Sequence, residues 1–349
     1  MLDQHLDELF QAAEDRDADR LFACVPRLYA ATETADEASL SAVAARLSEL
    51  LARLPSGVAV RLGILAGALA ERGADPMPLA GTLVDRLTEH LERSAGFVAA
   101  WRSATGEDPP QPEDDDPDWV VGVASRLTGL DEQEAFGLAQ AWALTHLATM
   151  PVLSILQLST PVRAALPGRE RLTAALSAVY DDRDDLGWLA GLLRVLDEEH
   201  LIVLHRESGN GYEVVIGGLG DNFQLHTLLA DAVSGPVTEG LIEGVQPDPR
   251  WVWGASDGPV DPDGEPVRGQ FNLTDAHGKW IWNEGVPAEI PHLDGVRVVV
   301  LDPPPYERSW SPGRRYPLMS GSIRLERILP AEEAASWLTK VAPSGGYGT

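Results

Sequence analysis

Leucines recur every three or four residues through most of the first 91 positions of the 349-residue chain. Leu2, Leu6 and Leu9 would lie on one face of a helix, because an α-helix completes a turn every 3.6 residues. Further stretches repeat the pattern, and the last of them keeps a four-residue step from Leu79 to Leu91. The spacing predicts successive helices of about 15 to 20 residues whose leucines pack in a core.

Prolines and glycines interrupt these stretches at short intervals. Pro55 and Gly57 end one leucine stripe, Gly73 ends the next, and Pro26 is expected to kink or interrupt the second helix. Short breaks favour antiparallel neighbours, as in an all-α helical bundle or a HEAT-like array. The absence of a self-similar repeat at a fixed period favours the bundle. Residues 1–103 are therefore expected to form a helical subdomain.

Residues 104–118 change character, with four prolines and a cluster of acids in the sequence ATGEDPPQPEDDDPD. Such a segment has little to bury, so it is expected to be an acidic, proline-rich linker or exposed loop. Helical signals resume at Trp119, and Asp131 followed by Glu134 is typical of a capping box. Residues 119–200 are expected to continue the helical half.

The pattern changes at residue 201, where LIVLHR and YEVVIGG surround the turn residues ESGNG. These runs predict two β-strands, followed by a helix over 223–233. Five shorter strands are expected at 251–255, 268–273, 279–283, 296–301 and 322–328, with a last helix over 331–341. Residues 201–349 thus predict an α+β domain with a mainly antiparallel sheet, two helices and many tryptophans. Its closing residues, PSGGYGT, are expected to be loose.

Charge limits the partners of this chain, because its net charge at pH 7 is −27 and its pI is near 4.5. Such a field repels nucleic acid and anionic membranes, and it favours a basic partner. No run approaches the ~18 to 20 apolar residues of a membrane span. The N-terminal residues lack the pattern of a signal peptide, and Cys24 is the only cysteine, which excludes an intramolecular disulfide framework. A cytoplasmic location is expected.

A glycine-rich turn at 217–221 precedes the helix predicted at 223–233. It lacks the Lys-Ser/Thr of a phosphate-binding loop and any dinucleotide fingerprint, and Asp221 at the N-cap would repel an anion. A structural turn is therefore expected, and no cofactor can be named. Five residues further on, His226 fits either a half-buried packing position or a ligand-binding or catalytic group.

Asp275 and His277 are the strongest candidates for chemistry, with Glu284 seven residues further on. Side chains two apart in a strand face the same side, so the pair could converge on a metal or a substrate. His205, His226 or His292 could supply a third ligand if the fold brings it near. The alternative is turn chemistry, in which Asp275 caps a turn and Gly278 supplies a positive φ.

Tryptophans form two W-x-W pairs, Trp251 with Trp253 and Trp280 with Trp282. At strand spacing each pair projects to one face, which predicts either a sheet core or a recognition surface. Tyr306 and Trp310 lie in loop sequence and could close over such a face as a lid.

Three functional hypotheses follow, and no motif chooses among them. The first is a cytoplasmic interaction or adaptor protein whose partner docks on the helical half or on the tryptophans. The second is an enzyme, possibly metal-dependent, with His277 as base or ligand, Asp275 orienting it, and His226 and Glu284 assisting. The third is a small-molecule binding module that uses the tryptophan pairs. The metal, the cofactor, the partner and the oligomeric state stay unassigned.

Overall fold

The computed structural model describes residues 2–112, 116–244, 246–260 and 263–345. The chain divides between Leu193 and Arg194 into two compact units. The first, here called the helical unit, is built from α-helices and short 3-10 turns. The second, here called the sheet unit, is built on a mixed β-sheet. The α+β class predicted from the sequence is confirmed.

Eleven α-helices are described in the helical unit. They are α1 (Leu2–Glu14), α2 (Ala18–Ala31), α3 (Glu37–Leu51), α4 (Ser56–Glu71), α5 (Met77–Thr105), α6 (Pro117–Ala124), α7 (Glu132–Ala143), α8 (Thr145–Leu158), α9 (Thr160–Ala164), α10 (Arg169–Ser177) and α11 (Gly187–Leu192). Asp36 and Asp131 cap α3 and α7 by accepting hydrogen bonds from backbone N–H groups of the first turn. Pro26 lies inside α2, which continues through it.

The helices form a bundle, since α4 packs against α8 although three helices separate them in the chain. Gly63 and Gly67 of α4 face Pro151 of α8, and a Cβ atom at Gly67 would lie 3.0 Å from Pro151 Cα. The 29-residue helix α5 contacts α3, α7, α8 and α10. Long-range packing of this kind differs from a solenoid, in which each repeat touches only its neighbours.

The described part of the acidic, proline-rich segment packs as a loop on the helical unit. Helix α5 runs to Thr105, beyond the expected limit at residue 103. The indole of Trp101 donates to the carbonyl oxygen of Asp108 at 3.0 Å, and that of Trp142 donates to Pro110 at 2.7 Å. Residues 113–115 of this segment lie outside the described residues.

The described strands of the sheet unit are β1 (Glu199–His205), β2 (Asn210–Gly217), β3 (Val267–Arg268), β4 (Asn272–Asp275), β5 (His292–Leu293), β6 (Val296–Asp302), β7 (Ser309–Trp310) and β8 (Ser322–Ile328). Six of them form the main sheet in the order β4-β6-β1-β2-β8, with β5 paired to β6, and a separate ribbon joins β3 to β7. Every pairing of these strands is antiparallel except that of β1 with β6. The helices of this unit are α12 (Asn222–Val233), α13 (Pro249–Ser256) and α14 (Ala331–Lys340).

Both faces of the central strands are buried. Leu201 and Val203 of β1 face the core that contains Leu225 of α12, whereas Ile202 and Leu204 face the core that contains Ala334 of α14. Alternation along a strand sends successive side chains to opposite faces, so β1 serves both cores. Burial of both faces explains why the sequence of β1 is a near-continuous apolar run.

Three secondary-structure predictions in this unit are wrong, and one of them is the single strand expected at 268–273, which is divided between β3 and β4. Residues 251–255 are helical in α13, because Asp248 caps the backbone N–H of Arg250 at 2.9 Å and Pro249 occupies the first helical position. Three α-helices are therefore found in the described part of this unit, one more than predicted. Residues 279–283 pair with β4 only through an isolated bridge between Thr274 and Trp280, so they do not form a regular strand.

The boundary between helix and sheet also differs from the prediction. The helical half was expected to reach residue 200, but α11 ends at Leu192 and β1 begins at Glu199. His200 lies in β1, where its ring Nδ1 is 3.1 Å from a carboxylate oxygen of Glu213. Among the described residues, no single helix has both the length and the apolar composition of a membrane span. Helices α7 and α8 pass that test only as a pair bent by 48°.

Candidate functional site

A tight turn follows β4 and fixes the pair that the sequence singled out. The N–H of Gly278 donates to the carbonyl oxygen of Asp275 at 3.0 Å, and Gly278 adopts a φ of +77°. The carboxylate of Asp275 accepts from the backbone N–H of His277 at 2.8 Å and from that of Lys279 at 3.0 Å. The turn chemistry predicted for Asp275 and Gly278 is confirmed.

The four candidate catalytic residues are dispersed over different environments. His277 and Glu284 are exposed, Asp275 is buried in its turn, and His226 is a buried residue of α12. Among the hydrogen bonds of the described residues, only the backbone N–H of His277 links any two of the four. Within the same residues, no three His, Cys, Asp or Glu side chains are placed to hold a metal ion.

The proposed third ligands have other neighbours. The ring of His205 lies 2.8 Å from the hydroxyl of Ser208, and the ring of His292 lies 3.6 Å from Glu199. His226 is enclosed by aromatic rings, with Trp310 at 4.9 Å and Phe271 at 6.3 Å between centroids. Its Nε2 accepts a hydrogen bond from the backbone N–H of Phe271 at 3.3 Å. In the neutral ring the proton therefore lies on Nδ1.

Burial lowers the pKa of His226 to about 3, and the positive charge of Arg308 acts in the same direction. The side chain of Asn283 lies near enough to act against this lowering of the pKa of His226. Neither the Oδ1 of Asn283 nor the Nδ1 of His226 has a hydrogen-bond partner of good geometry within the described chain. A histidine with so low a pKa is a weak base, and it is almost entirely unprotonated near neutral pH. The geometry suits His226 to packing beneath Trp310 more than to proton transfer.

Three aromatic side chains lie together at the surface of the sheet unit and are here called the aromatic patch: Trp280, Trp282 and Tyr306. The ring centroids of Trp280 and Trp282 are 5.6 Å apart, and those of Trp280 and Tyr306 are 6.5 Å apart. Trp282 is 54% exposed and Tyr306 is 44% exposed. The sequence predicted the proximity of the two tryptophans from their strand-like spacing, and it offered Tyr306 as a neighbour.

The start of α12 positions one side of the aromatic patch. The side-chain amide of Asn222 donates to the carbonyl oxygen of Trp282 at 2.8 Å. The backbone N–H groups of Asn222 and Phe223 donate to the carbonyl oxygen of Asn283, and that of Asn222 also lies 2.9 Å from the oxygen of Gly285. Residues 282–285 therefore satisfy N–H groups that a helix N-terminus otherwise leaves unpaired.

The C-terminal segment positions the other side of the patch. The N–H of Gly345 donates to Gly278 at 2.8 Å, and that of Ala342 donates to Ala276 at 2.9 Å. The indole N–H of Trp280 donates to the carbonyl oxygen of Gly345 at 3.2 Å. Residues 343–349 were expected to be loose, and this prediction is wrong at Gly345, which pairs with the turn after β4. Residues 346–349 lie outside the described residues.

Trp310 is separate from the patch that it was expected to cover. It belongs to the β3–β7 ribbon, where its ring packs on His226 and lies 5.6 Å from the ring of Phe223. Its indole N–H is 3.4 Å from the hydroxyl of Thr227. The ribbon thus covers α12, whereas Tyr306 extends towards Trp280.

The first tryptophan pair lines a separate small cavity of about 250 Å³. Trp251 and Trp253 share its wall with Pro259, Val260 and Pro312. The indole of Trp251 donates to the carbonyl oxygen of Glu265 at 2.9 Å, and Trp253 is 55% exposed. Both tryptophans are on α13 and not on a strand. They line the same cavity because the helix and the chain that follows it form its walls.

The glycine-rich turn before α12 is used for close packing. A Cβ atom at Gly218 would lie 2.0 Å from the carbonyl oxygen of Ser320, and one at Gly220 would lie 2.8 Å from the ring of Tyr316. Asp221 caps α12 by accepting from the N–H of Gln224 at 2.9 Å. The structural turn and the cap predicted from the sequence are confirmed, and burial raises the pKa of Asp221.

Asn222 and Arg308 were missed because no motif marks them. Arg308 donates to the carbonyl oxygen of Phe271 at 2.7 Å and lies 5.8 Å from the ring centroid of Tyr306. A weak signal existed for Asn222, since it follows the N-cap Asp221 and its first-turn N–H groups require acceptors. Nothing in the sequence indicates which distant loop supplies them.

Scans of this chain against protein-family models, curated proteins and solved structures each found no match.

Proposed function

We propose that this chain is an interaction protein that docks a basic segment of a partner protein on the aromatic patch of the sheet unit. The observation that carries the proposal is the clustering of Trp280, Trp282 and Tyr306 at the surface, with two of the three rings about half exposed. Tryptophan and tyrosine are enriched at the energetic centres of protein interfaces. Their rigid rings provide a large contact area at a low cost in conformational entropy.

Preorganisation supports the same proposal. Trp280 is held through its indole N–H by Gly345, and the backbone of Trp282 is held by Asn222. A surface that is already ordered loses less entropy on binding than one that must be ordered by its partner. The hydrogen bonds leave the exposed ring of Trp282 available for contact.

Charge supports a basic partner. Exposed Glu307 directly follows Tyr306 and exposed Glu284 lies two residues after Trp282, while Lys279 and Arg308 contribute opposing charges. The net charge of −27 extends the negative field well beyond these side chains. Lysine and arginine side chains also bind favourably over the faces of tryptophan rings. A segment that carries such residues would combine both attractions.

The proposal is tested by capturing partners from a native lysate with the purified chain and with its Trp282→Ala variant. The matched control is Trp253→Ala, which removes a tryptophan of nearly equal exposure from the cavity beside α13. We expect a captured protein that is lost with Trp282→Ala and retained with Trp253→Ala. Equal capture by both variants, or no reproducible capture by the unaltered chain, would contradict the proposal.

A second candidate function is binding of a small molecule in the cavity lined by Trp251 and Trp253. Its volume of about 250 Å³ lies just below the range of roughly 300 to 1,000 Å³ that is usual for ligand pockets, which favours a small metabolite. Titration of the intrinsic tryptophan fluorescence against a metabolite panel tests this candidate. A saturable change that Trp253→Ala abolishes and Trp282→Ala retains would support it, and a flat response throughout would exclude it.

A further inference from the structure

The helical unit carries an open groove between α6 and α7 with a volume of about 640 Å³. Its floor includes the buried side chains of Leu127 and Ala135. Two large apolar side chains on its walls face solvent, with Val121 57% exposed and Phe136 40% exposed. Exposed apolar groups that adjoin one another around a concavity are typical of interaction sites.

The packing of α6 against α7 does not explain why Val121 and Phe136 are apolar. Val120 and Val123 of α6, together with Ala139 of α7, face the local core around Trp142. Val121 lies outside that inward stripe, as does Phe136, so neither contributes to the core. A surface helix needs only one apolar stripe, and these residues extend the apolar surface beyond it.

On the described chain, one carboxylate lines the groove, and further acids lie on the two helices that form it. Glu132 is part of its lining. The other acids lie at the starts of the same two helices: Asp116, Asp118, Asp131 and Glu134. Arg126 is the one basic residue between positions 116 and 136, and it is engaged by Glu107 at 2.9 Å and stacks 4.3 Å from the ring centroid of Trp101. The charge of Arg126 is thus offset by Glu107, and the acids of α6 and α7 outnumber the basic residues of this stretch.

We propose that the α6–α7 groove binds a basic amphipathic helix of a partner protein. An apolar groove accepts the apolar face of such a helix through side chains spaced at i, i+3 or i+4, and i+7. Lysine or arginine residues on its flanks would lie near the carboxylates at the groove rim. The site lies in the helical unit and is independent of the aromatic patch.

The dimensions of the groove limit the contact to about two turns of the bound helix. Helix α6 has eight residues, which corresponds to a length of about 12 Å. Two or three apolar anchors fit along that length. Val121 and Phe136 are the side chains that those anchors would contact first, because they are the most exposed apolar groups of the groove.

The test uses a fluorescent synthetic peptide with leucines at i, i+3, i+4 and i+7 and lysines at the flanking positions. Its binding to the full chain is measured by fluorescence anisotropy, beside a peptide with glutamates in place of the lysines. We expect the lysine peptide to bind at least tenfold more tightly than the glutamate peptide. Failure of the lysine peptide to bind would overturn the proposal.

Variants separate the groove from general attraction to an acidic protein. Val121→Asp is expected to weaken binding of the lysine peptide at least tenfold even though it adds negative charge, and Phe136→Ala is expected to weaken it about fivefold. The matched control is Val237→Asp, at a valine of the sheet unit that is 60% exposed. Equal affinities for Val121→Asp and Val237→Asp would show that the peptide binds by charge alone, and the groove assignment would fail.

Two further variants test the rim and the independence of the site. Glu132→Gln is expected to weaken the lysine peptide two- to threefold and to reduce the dependence of its affinity on salt. Trp282→Ala serves as the background for all of these measurements, so that peptide bound at the aromatic patch does not count towards the groove. Failure of the lysine peptide to bind in this background would assign the peptide to the patch and overturn the groove proposal. Far-UV circular dichroism verifies that each variant is folded.

Discussion

The side-chain amide of Asn222 donates a 2.8 Å hydrogen bond to the carbonyl oxygen of Trp282, and this bond joins the first turn of α12 to the aromatic patch. Asn222 is almost fully buried, whereas the ring of Trp282 is largely exposed. A buried polar side chain thus holds the backbone that carries an exposed aromatic side chain. The patch depends on the interior of the sheet unit for its geometry.

Asn222→Ala is expected to lower the free energy of unfolding of the sheet unit by about 1 to 3 kcal/mol, because the carbonyl of Trp282 loses its buried donor. The matched control is Asn210→Ala, which removes longer hydrogen bonds of 3.3 Å to Tyr212 and Gly240 at a half-buried site. Chemical denaturation measures both variants. A smaller effect at Asn222 than at Asn210 would contradict the prediction.

Gly278→Ala is expected to detach the C-terminal segment from the turn after β4. A Cβ atom at this position would lie 2.0 Å from the carbonyl oxygen of Pro343, and the φ of +77° already disfavours other residues. Gly209 has a similar φ of +74° with nothing within 4 Å of an added Cβ, so Gly209→Ala isolates the backbone cost of about 1 to 2 kcal/mol.

We expect Gly278→Ala to cost at least about 3 kcal/mol of unfolding free energy. Limited proteolysis should also cleave near residue 343 faster in this variant, because the hydrogen bonds from Ala342 and Gly345 to the turn are lost. Equal stability and equal cleavage rates for the two alanine variants would rule out the packing role of Gly278.

His90 makes the stability of the helical unit sensitive to mild acid. Burial lowers its pKa to about 4, against an ordinary value of 6.5 in the unfolded chain. The unfolded state therefore binds a proton that the folded state refuses, so stability falls as the pH drops below about 6.5 and is unaffected by this group above that pH. The loss between pH 7.5 and pH 5 is expected to be about 2 kcal/mol.

His90→Leu should remove this part of the pH dependence. The matched control is His146→Gln, at a largely exposed histidine of the same unit, which should retain the slope. Urea denaturation at pH 5, 6 and 7.5 provides the measurement. If His90→Leu and His146→Gln keep the same slope between pH 5 and pH 6.5, another group is responsible.

Close packing of α4 on α8 predicts opposite effects for two helix glycines. Gly137→Ala in α7 is expected to stabilise by up to about 1 kcal/mol, since nothing lies within 4 Å of the added Cβ and alanine has the higher helix propensity. Gly67→Ala is expected to destabilise by about 1 to 2 kcal/mol, because its Cβ would approach Pro151 Cα at 3.0 Å. Thermal unfolding of both variants measures the contrast, and an equal gain from both would contradict the packing argument.

Local patterns in the sequence predicted much of the secondary structure. The leucine stripes gave the helices of the first half, since a helical face depends on residues within two turns of one another. The strand pair at β1 and β2 followed from an apolar run and a glycine-containing turn in the same way. The exception at α13 was also local, since Asp248 and Pro249 carry a helix start that outweighs the strand propensity of two tryptophans.

The composition of the aromatic patch was decided by tertiary contacts. Trp280 and Tyr306 are separated by β5 and β6 in the chain, and Gly345 reaches Trp280 from the far end of the sheet unit. The dispersal of His226, Asp275, His277 and Glu284 was decided at the same level. The sequence alone indicated turn chemistry as one of two roles for Asp275, because an aspartate caps a turn through its own neighbours. Which side chains meet across the molecule depends on strand order and register, and those are set by burial summed over the whole sheet unit.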